Sequence, residues 1–170
     1  MTEYFTEDEL VKAKEQKKKS LIIYFIALSF YIIISLIDFV IYFNLSYKSF
    51  QISVVKLVQY SFSVIFIIFS FIYLGIIYKR VNKYYKKCLN MKTGIRETSI
   101  GNFLGFDEEL QYKDGVDFKS LIFIEWNKYK KDFFERKVLV FFEKPFPEIP
   151  EKANVSYVTQ GNVLISFEII

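Results

Sequence analysis

Two long apolar runs, Leu21–Phe43 and Leu57–Tyr78, interrupt a chain that is otherwise polar or alternating. Each is long enough to cross a bilayer core of roughly 30 Å as a helix, which takes about 20 residues at a rise of about 1.5 Å. The pattern predicts a transmembrane helical hairpin over 21–78, with the connection Asn44–Lys56 facing outward. Residues 1–20 are polar, and Thr6 followed by Glu9 fits a capping box that starts a short helix ending at Lys19. Beyond the second run, KRVNKYYKKCLNMK stays helix-compatible up to a C-cap at Gly94, giving a basic juxtamembrane helix over 79–94.

From Ile95 the period changes from helical to alternating, which marks 95–170 as a β-rich domain. Asp114-Gly115 and Gly161-Asn162 are hairpin-closing dipeptides. Strands are expected at Glu109–Lys113, Val116–Trp126, Arg136–Glu143, Asn154–Gln160 and Val163–Ile170. In the last of these, Val163, Ile165, Phe167 and Ile169 make one apolar face. Asn127–Glu135 reads either as a charged loop or as a short helix across a barrel mouth. Pro145–Pro150 lacks backbone donors and favours turns, and its Pro147-x-x-Pro150 spacing is common by chance. The fold class is therefore a membrane protein of α+β type, a two-helix hairpin followed by a small antiparallel β domain, either a curved sheet or a small barrel.

Polar residues inside the apolar runs fall on stripes. Tyr24, Tyr31, Ser35, Asp38 and Tyr42 share one face of the first helix, and Gln59, Ser63, Phe66, Ser70 and Tyr73 share one face of the second. Asp38 is the one formal charge within either run. In an antiparallel hairpin it falls at a depth similar to Gln59 and Ser63. Such residues hold membrane helices together at about 0.6–2 kcal/mol per hydrogen bond, so Ser35, Asp38, Gln59, Ser63 and Ser70 are expected at the helix contact. A proton or cation site at Asp38 is the competing reading, but two helices make no transport pathway without oligomerising.

Charge then sets the orientation. Five lysines precede the first run, Lys48 and Lys56 lie near the connection, and seven basic residues without an acid occupy Lys79–Arg96. The positive-inside rule places both termini in the cytoplasm, in a plasma (inner) membrane. The first run is too long for a signal-peptide core and lacks a small-residue cleavage site. Lys17, Lys18, Lys19, Lys79, Arg80, Lys83, Lys86 and Lys87 are positioned to meet anionic lipid headgroups. The part from Glu97 onward carries 13 acids against nine bases, which disfavours nucleic acid and favours a basic protein partner.

Composition closes off most chemistry. With no histidine and a single cysteine, Cys88, the chain lacks the commonest general base, any intramolecular disulfide and any Cys-cluster metal site. No cofactor is expected. An enzyme would rest on Asp107, Glu108, Glu109 and Asp114, a cluster better explained as solvated. The richness in Phe, Ile and Tyr matches AT-rich codons and a low-GC bacterial source.

The stretch Phe123-Ile124-Glu125-Trp126-Asn127-Lys128-Tyr129, together with the two-helix layout, resembles bacterial membrane proteins that tether a PH-like or small β-barrel domain; the C-terminal helix of that pattern is missing here. Two functions stay open. One is a non-enzymatic scaffold or accessory subunit whose anchored β module binds a partner protein. The other is a ligand-gated effector, its barrel binding a nucleotide-like or lipid ligand and its hairpins assembling into a homo-oligomer. In either, Trp126, Tyr129 and Phe134 are the candidate ligand or partner surface.

Overall fold

A computed structural model describes residues 1–46, 50–127 and 129–170. Tyr47, Lys48, Ser49 and Lys128 lie outside the described residues, and with them the place of Lys48 in the connection. The order of elements is β1 (Thr2–Glu3), α1 (Glu7–Asn44), α2 (Phe50–Ile72), a π-helical stretch (Tyr73–Tyr78), α3 (Lys79–Thr93), β2 (Glu97–Lys113), β3 (Val116–Asn127), β4 (Asp132–Phe141), β5 (Asn154–Gln160) and β6 (Val163–Ile169). They form two compact units, one of Met1–Lys14 with Lys83–Ile170 and the other of Glu15–Asn82.

The second unit contains two helices that are long and apolar enough to cross a membrane. Their outward side chains are bare, Phe71 being 81% exposed and Phe43 68%. Their polar stripes face each other instead. The short helix expected to end at Lys19 does not stop there: α1 starts at Glu7, where the Thr6 N–H donates to Glu9 Oε2 at 3.4 Å, and runs unbroken to Asn44. Neither Gly nor Pro interrupts it, so nothing in the sequence ends the helix at the lysines.

In the first unit, β2, β3, β4, β6 and β5 close on one another into a five-stranded barrel, with β1 added to β6. The sheet is mixed, not antiparallel throughout, because β4 and β6 meet in parallel at Leu139 and Val163, where the Leu139 N–H donates to the Asn162 carbonyl at 2.7 Å. Both two-residue turns have left-handed backbone at their centres, φ 56° and 85° at Asp114 and Gly115, and 56° and 67° at Gly161 and Asn162. That geometry matches the twist of the flanking strands.

Three strand expectations need correction. β2 begins at Glu97, not Glu109, and is 17 residues long; shifts in its pairing with β3 at Phe103/Gly105 and Asp107/Gln111 break its alternation and hide its first half. The described residues of the segment Asn127–Glu135 form neither a helix nor a long loop. The Asn127 side chain accepts from the N–H groups of Tyr129 (2.9 Å) and Lys130 (3.1 Å), tightening a β3–β4 hairpin so that β4 starts at Asp132. β6 is not apolar on one face only, since every residue from Val163 to Phe167 is buried.

The reason is that the barrel wall has two cores. Inside, Phe103, Leu121, Phe123, Val138, Val140, Val155, Tyr157 and Leu164 fill the interior, and Ile149 and Phe146 of the proline loop pack against them. Pro147 is buried in the same loop. Outside, Phe118, Leu139, Phe141, Val163 and Ile165 are covered by Phe5, Ala13, Cys88 and Met91. Ala13 belongs to the first turns of α1 and the last two to α3. Lys87, Cys88 and Met91, the buried residues of α3, recur at helical spacing on its covered face. Burial pushes the Cys88 thiol up to about 11, which keeps it protonated at neutral pH.

Candidate functional site

Within the hairpin unit the two stripes meet in one register. Tyr24 OH donates to Ser70 Oγ at 3.4 Å, Tyr31 OH and Ser63 Oγ share a hydrogen bond of 3.0 Å, and Gln59 Nε2 donates to Ser35 Oγ at 3.0 Å. Tyr73 OH donates to the Ser20 carbonyl at 2.9 Å. Tyr31 also stacks on Phe66 with ring centres 4.3 Å apart. Ser35, Gln59, Ser63 and Ser70 are thus brought together in pairs. Asp38 joins none of them.

Asp38 instead lines a cleft of about 520 Å3 with Ser35, Phe39, Tyr42, Lys56 and Gln59. Asp38 Oδ2 and Gln59 Oε1 are buried there without a hydrogen-bond partner among the described residues. Lys56 Nζ lies 5.6 Å from the centre of the Tyr42 ring. A carboxylate, an amide oxygen and an ammonium therefore surround a space walled by aromatic rings.

The basic residues expected at lipid headgroups divide. Lys18, Lys19, Lys79, Arg80 and Lys86 are exposed and Lys17 is half-buried. Lys87 is not at a lipid-facing surface: it is 8% exposed, its ammonium is 3.2 Å from Asp114 Oδ2 and it lies over the Phe118 ring. Lys83 is half-buried along the same turn, where a side chain at Gly115 would collide with it. Helical phase around α3 cannot be read from a run this rich in lysine, so the sequence does not distinguish the buried Lys87 from its exposed neighbours.

The three candidate aromatics do not converge. Trp126 pairs with Phe133 across the β3–β4 hairpin, their rings 4.9 Å apart, and by strand alternation both share a face with Ile124. Phe134 pairs with Glu125 and points to the other face. Tyr129 stands at the tip, 99% exposed. Phe133, on no list of candidates from the sequence, completes the exposed pair.

The sequence also missed a polar plug at the barrel end. Arg136 is in phase with Val138 and Val140 and so points inward. Its guanidinium donates to Ser99 Oγ (2.9 Å), Glu97 Oε2 (3.1 Å) and Asn162 Oδ1 (3.0 Å), and lies 3.4 Å from Glu125 Oε1. Tyr157 OH donates to the same Glu125 carboxylate, and burial, reinforced by that carboxylate, holds the phenol well above its ordinary range. The readable signal was a charge in register with interior apolar positions on both strands. The members of the plug bond to one another and so close that end of the barrel with a mutually paired polar network.

The chain matches no protein-family model, no curated protein and no solved structure.

Proposed function

We propose that this chain is a small, non-enzymatic integral membrane protein of the plasma (inner) membrane, its hairpin anchoring a cytoplasmic β module that binds a partner protein. The observation that carries the reading is the inside-out hairpin: polar side chains pair between the helices while large apolar side chains cover the outside. A soluble protein leaves no such surface to water, whereas lipid solvates it without cost. The basic flanks support cytoplasmic termini by the positive-inside rule, with lipids as the first partners of this reading. The β unit offers Trp126, Phe133 and Tyr129 as an exposed aromatic edge of the kind that anchors protein contacts. The excess of acids beyond Glu97 makes a basic partner more fitting than nucleic acid. No cofactor is required.

Two linked measurements test it. Membranes bearing the full chain are washed at alkaline pH, and cysteines placed at Ser46 or Glu148 in a Cys88→Ser background are treated with an impermeant maleimide on intact cells. The reading expects retention in the membrane and labelling at 46 alone; release, or labelling at 148 alone, overturns the anchor or its orientation. A photo-crosslinking residue at Tyr129 should then yield a discrete protein adduct in cells. Failure to form one, with the anchor intact, removes the partner-binding role of that edge.

A further inference from the structure

The register of the hairpin assigns a partner position to Asp38 that the structure leaves unused. The pairs Tyr24–Ser70, Tyr31–Ser63 and Ser35–Gln59 step along the two helices in opposite directions, and the next step brings Asp38 opposite Lys56. Opposite charges facing each other at such a depth ordinarily close into an ion pair, because lipid screens nothing. Here they do not. Lys56 leans over the Tyr42 ring, Asp38 Oδ2 and Gln59 Oε1 have no hydrogen-bond partner among the described residues, and all four side chains line the cleft of about 520 Å3.

We propose that this cleft binds the headgroup of a phospholipid carrying a primary ammonium and a phosphate, in the leaflet on the side of the helix connection. The ammonium has three donors, enough for both orphan acceptors, and its charge balances the Asp38 carboxylate. Tyr42 flanks it with an electron-rich ring face. The phosphate falls to Lys56, and Phe39 and Leu36 give the acyl chain an apolar wall. A cleft of this volume is in the range used for small ligands. A quaternary ammonium fills the same space but donates no hydrogen bond, and an anionic headgroup without an ammonium leaves Asp38 and Gln59 unpaired. The site therefore discriminates by donor count and by charge order.

This inference rests on the membrane-hairpin reading, and the test separates the two. The full chain is reconstituted into nanodiscs containing phosphatidylethanolamine, phosphatidylcholine and phosphatidylglycerol in equal amounts, and the lipids retained after ejection are counted by native mass spectrometry. Failure to enter nanodiscs overturns the hairpin and the lipid site together. With the chain inserted, retention of phosphatidylethanolamine should exceed that of each competitor about tenfold, the effect of one charge-assisted hydrogen bond. Equal retention overturns the site alone. Asp38→Leu, which removes one of the two acceptors, should reduce the preference over phosphatidylcholine, and Asp38→Asn, which removes only the charge, should reduce the preference over phosphatidylglycerol. Lys56→Gln, at an exposed position that leaves the hairpin contacts alone, should lower retention of all phosphate-bearing lipids in the site. If Lys56→Gln instead raises retention, Lys56 serves as an internal counter-ion of Asp38 and the zwitterion site is wrong.

Discussion

Lys87 of α3 and Asp114 of the β2–β3 turn are joined by an ion pair of 3.2 Å, the lysine almost wholly enclosed and the aspartate open to water. The pair fastens the basic helix to the barrel at a position where charge count alone would have given the lysine to lipid. Asp114→Asn should lower stability by about 1 kcal/mol, less than for a fully buried pair because one partner is solvated. Lys87→Met, which keeps the packing over Phe118, should leave salt-dependent vesicle binding unchanged, while Lys86→Gln at an exposed position should weaken it. Vesicle co-sedimentation at low and high salt decides; a loss with Lys87→Met would return that lysine to the lipid surface.

A fragment starting at Glu97 should not behave as a folded domain. It lacks β1, the start of α1 and all of α3, and so uncovers Phe118, Leu139, Phe141, Val163 and Ile165. Each such side chain is worth about 1.5–3 kcal/mol of burial, so the loss approaches the whole stability of a small domain. Dye binding and a broad thermal transition are expected for 97–170, and a cooperative transition for 83–170 joined through a linker to 1–14. Equal cooperativity of the two fragments would show that the outer core is dispensable.

The plug predicts coupling between Arg136 and Glu125. Arg136→Met strands a nearly buried carboxylate and should cost about 2–3 kcal/mol. In the double variant with Glu125→Gln the cost should be well below the sum of the singles. Chemical denaturation of the four proteins gives the coupling directly. Additive losses would mean that the two side chains act independently.

Alkali should unfold the protein through its buried phenols. Tyr157, Tyr84 and Tyr4 are all held above the ordinary tyrosine range, burial being the main cause in each. A folded pKa raised above the unfolded value, about 10, gives stability that is complete below that pH and falls as pH rises beyond it. Each tyrosine adds about 1.4 kcal/mol per pH unit to the slope. Tyr157→Phe should make the decline shallower by one such share. Denaturation midpoints measured upward from neutral pH test this, and an unchanged slope would mean that the Tyr157 phenol ionises in the folded state.

Local periodicity was enough to place the hairpin, the facing stripes of Ser35, Gln59, Ser63 and Ser70, and both tight turns, because a helix face, a strand face and a left-handed backbone are each set within a few residues. What depends on distant segments was not legible. Closure of the barrel includes a parallel contact between Leu139 and Val163, which no pattern within either strand announces. The first half of β2 was lost because bulges break the alternation by which a strand is recognised. Lys87 carries the same charge as Lys86, yet one is buried and the other exposed, since only packing against the barrel defines which side of α3 is inside. In the same way, the Asp38 charge was evident from composition, but its place in a cleft with Lys56 and Gln59 follows from the register in which two helices dock, a property of the pair and not of either sequence.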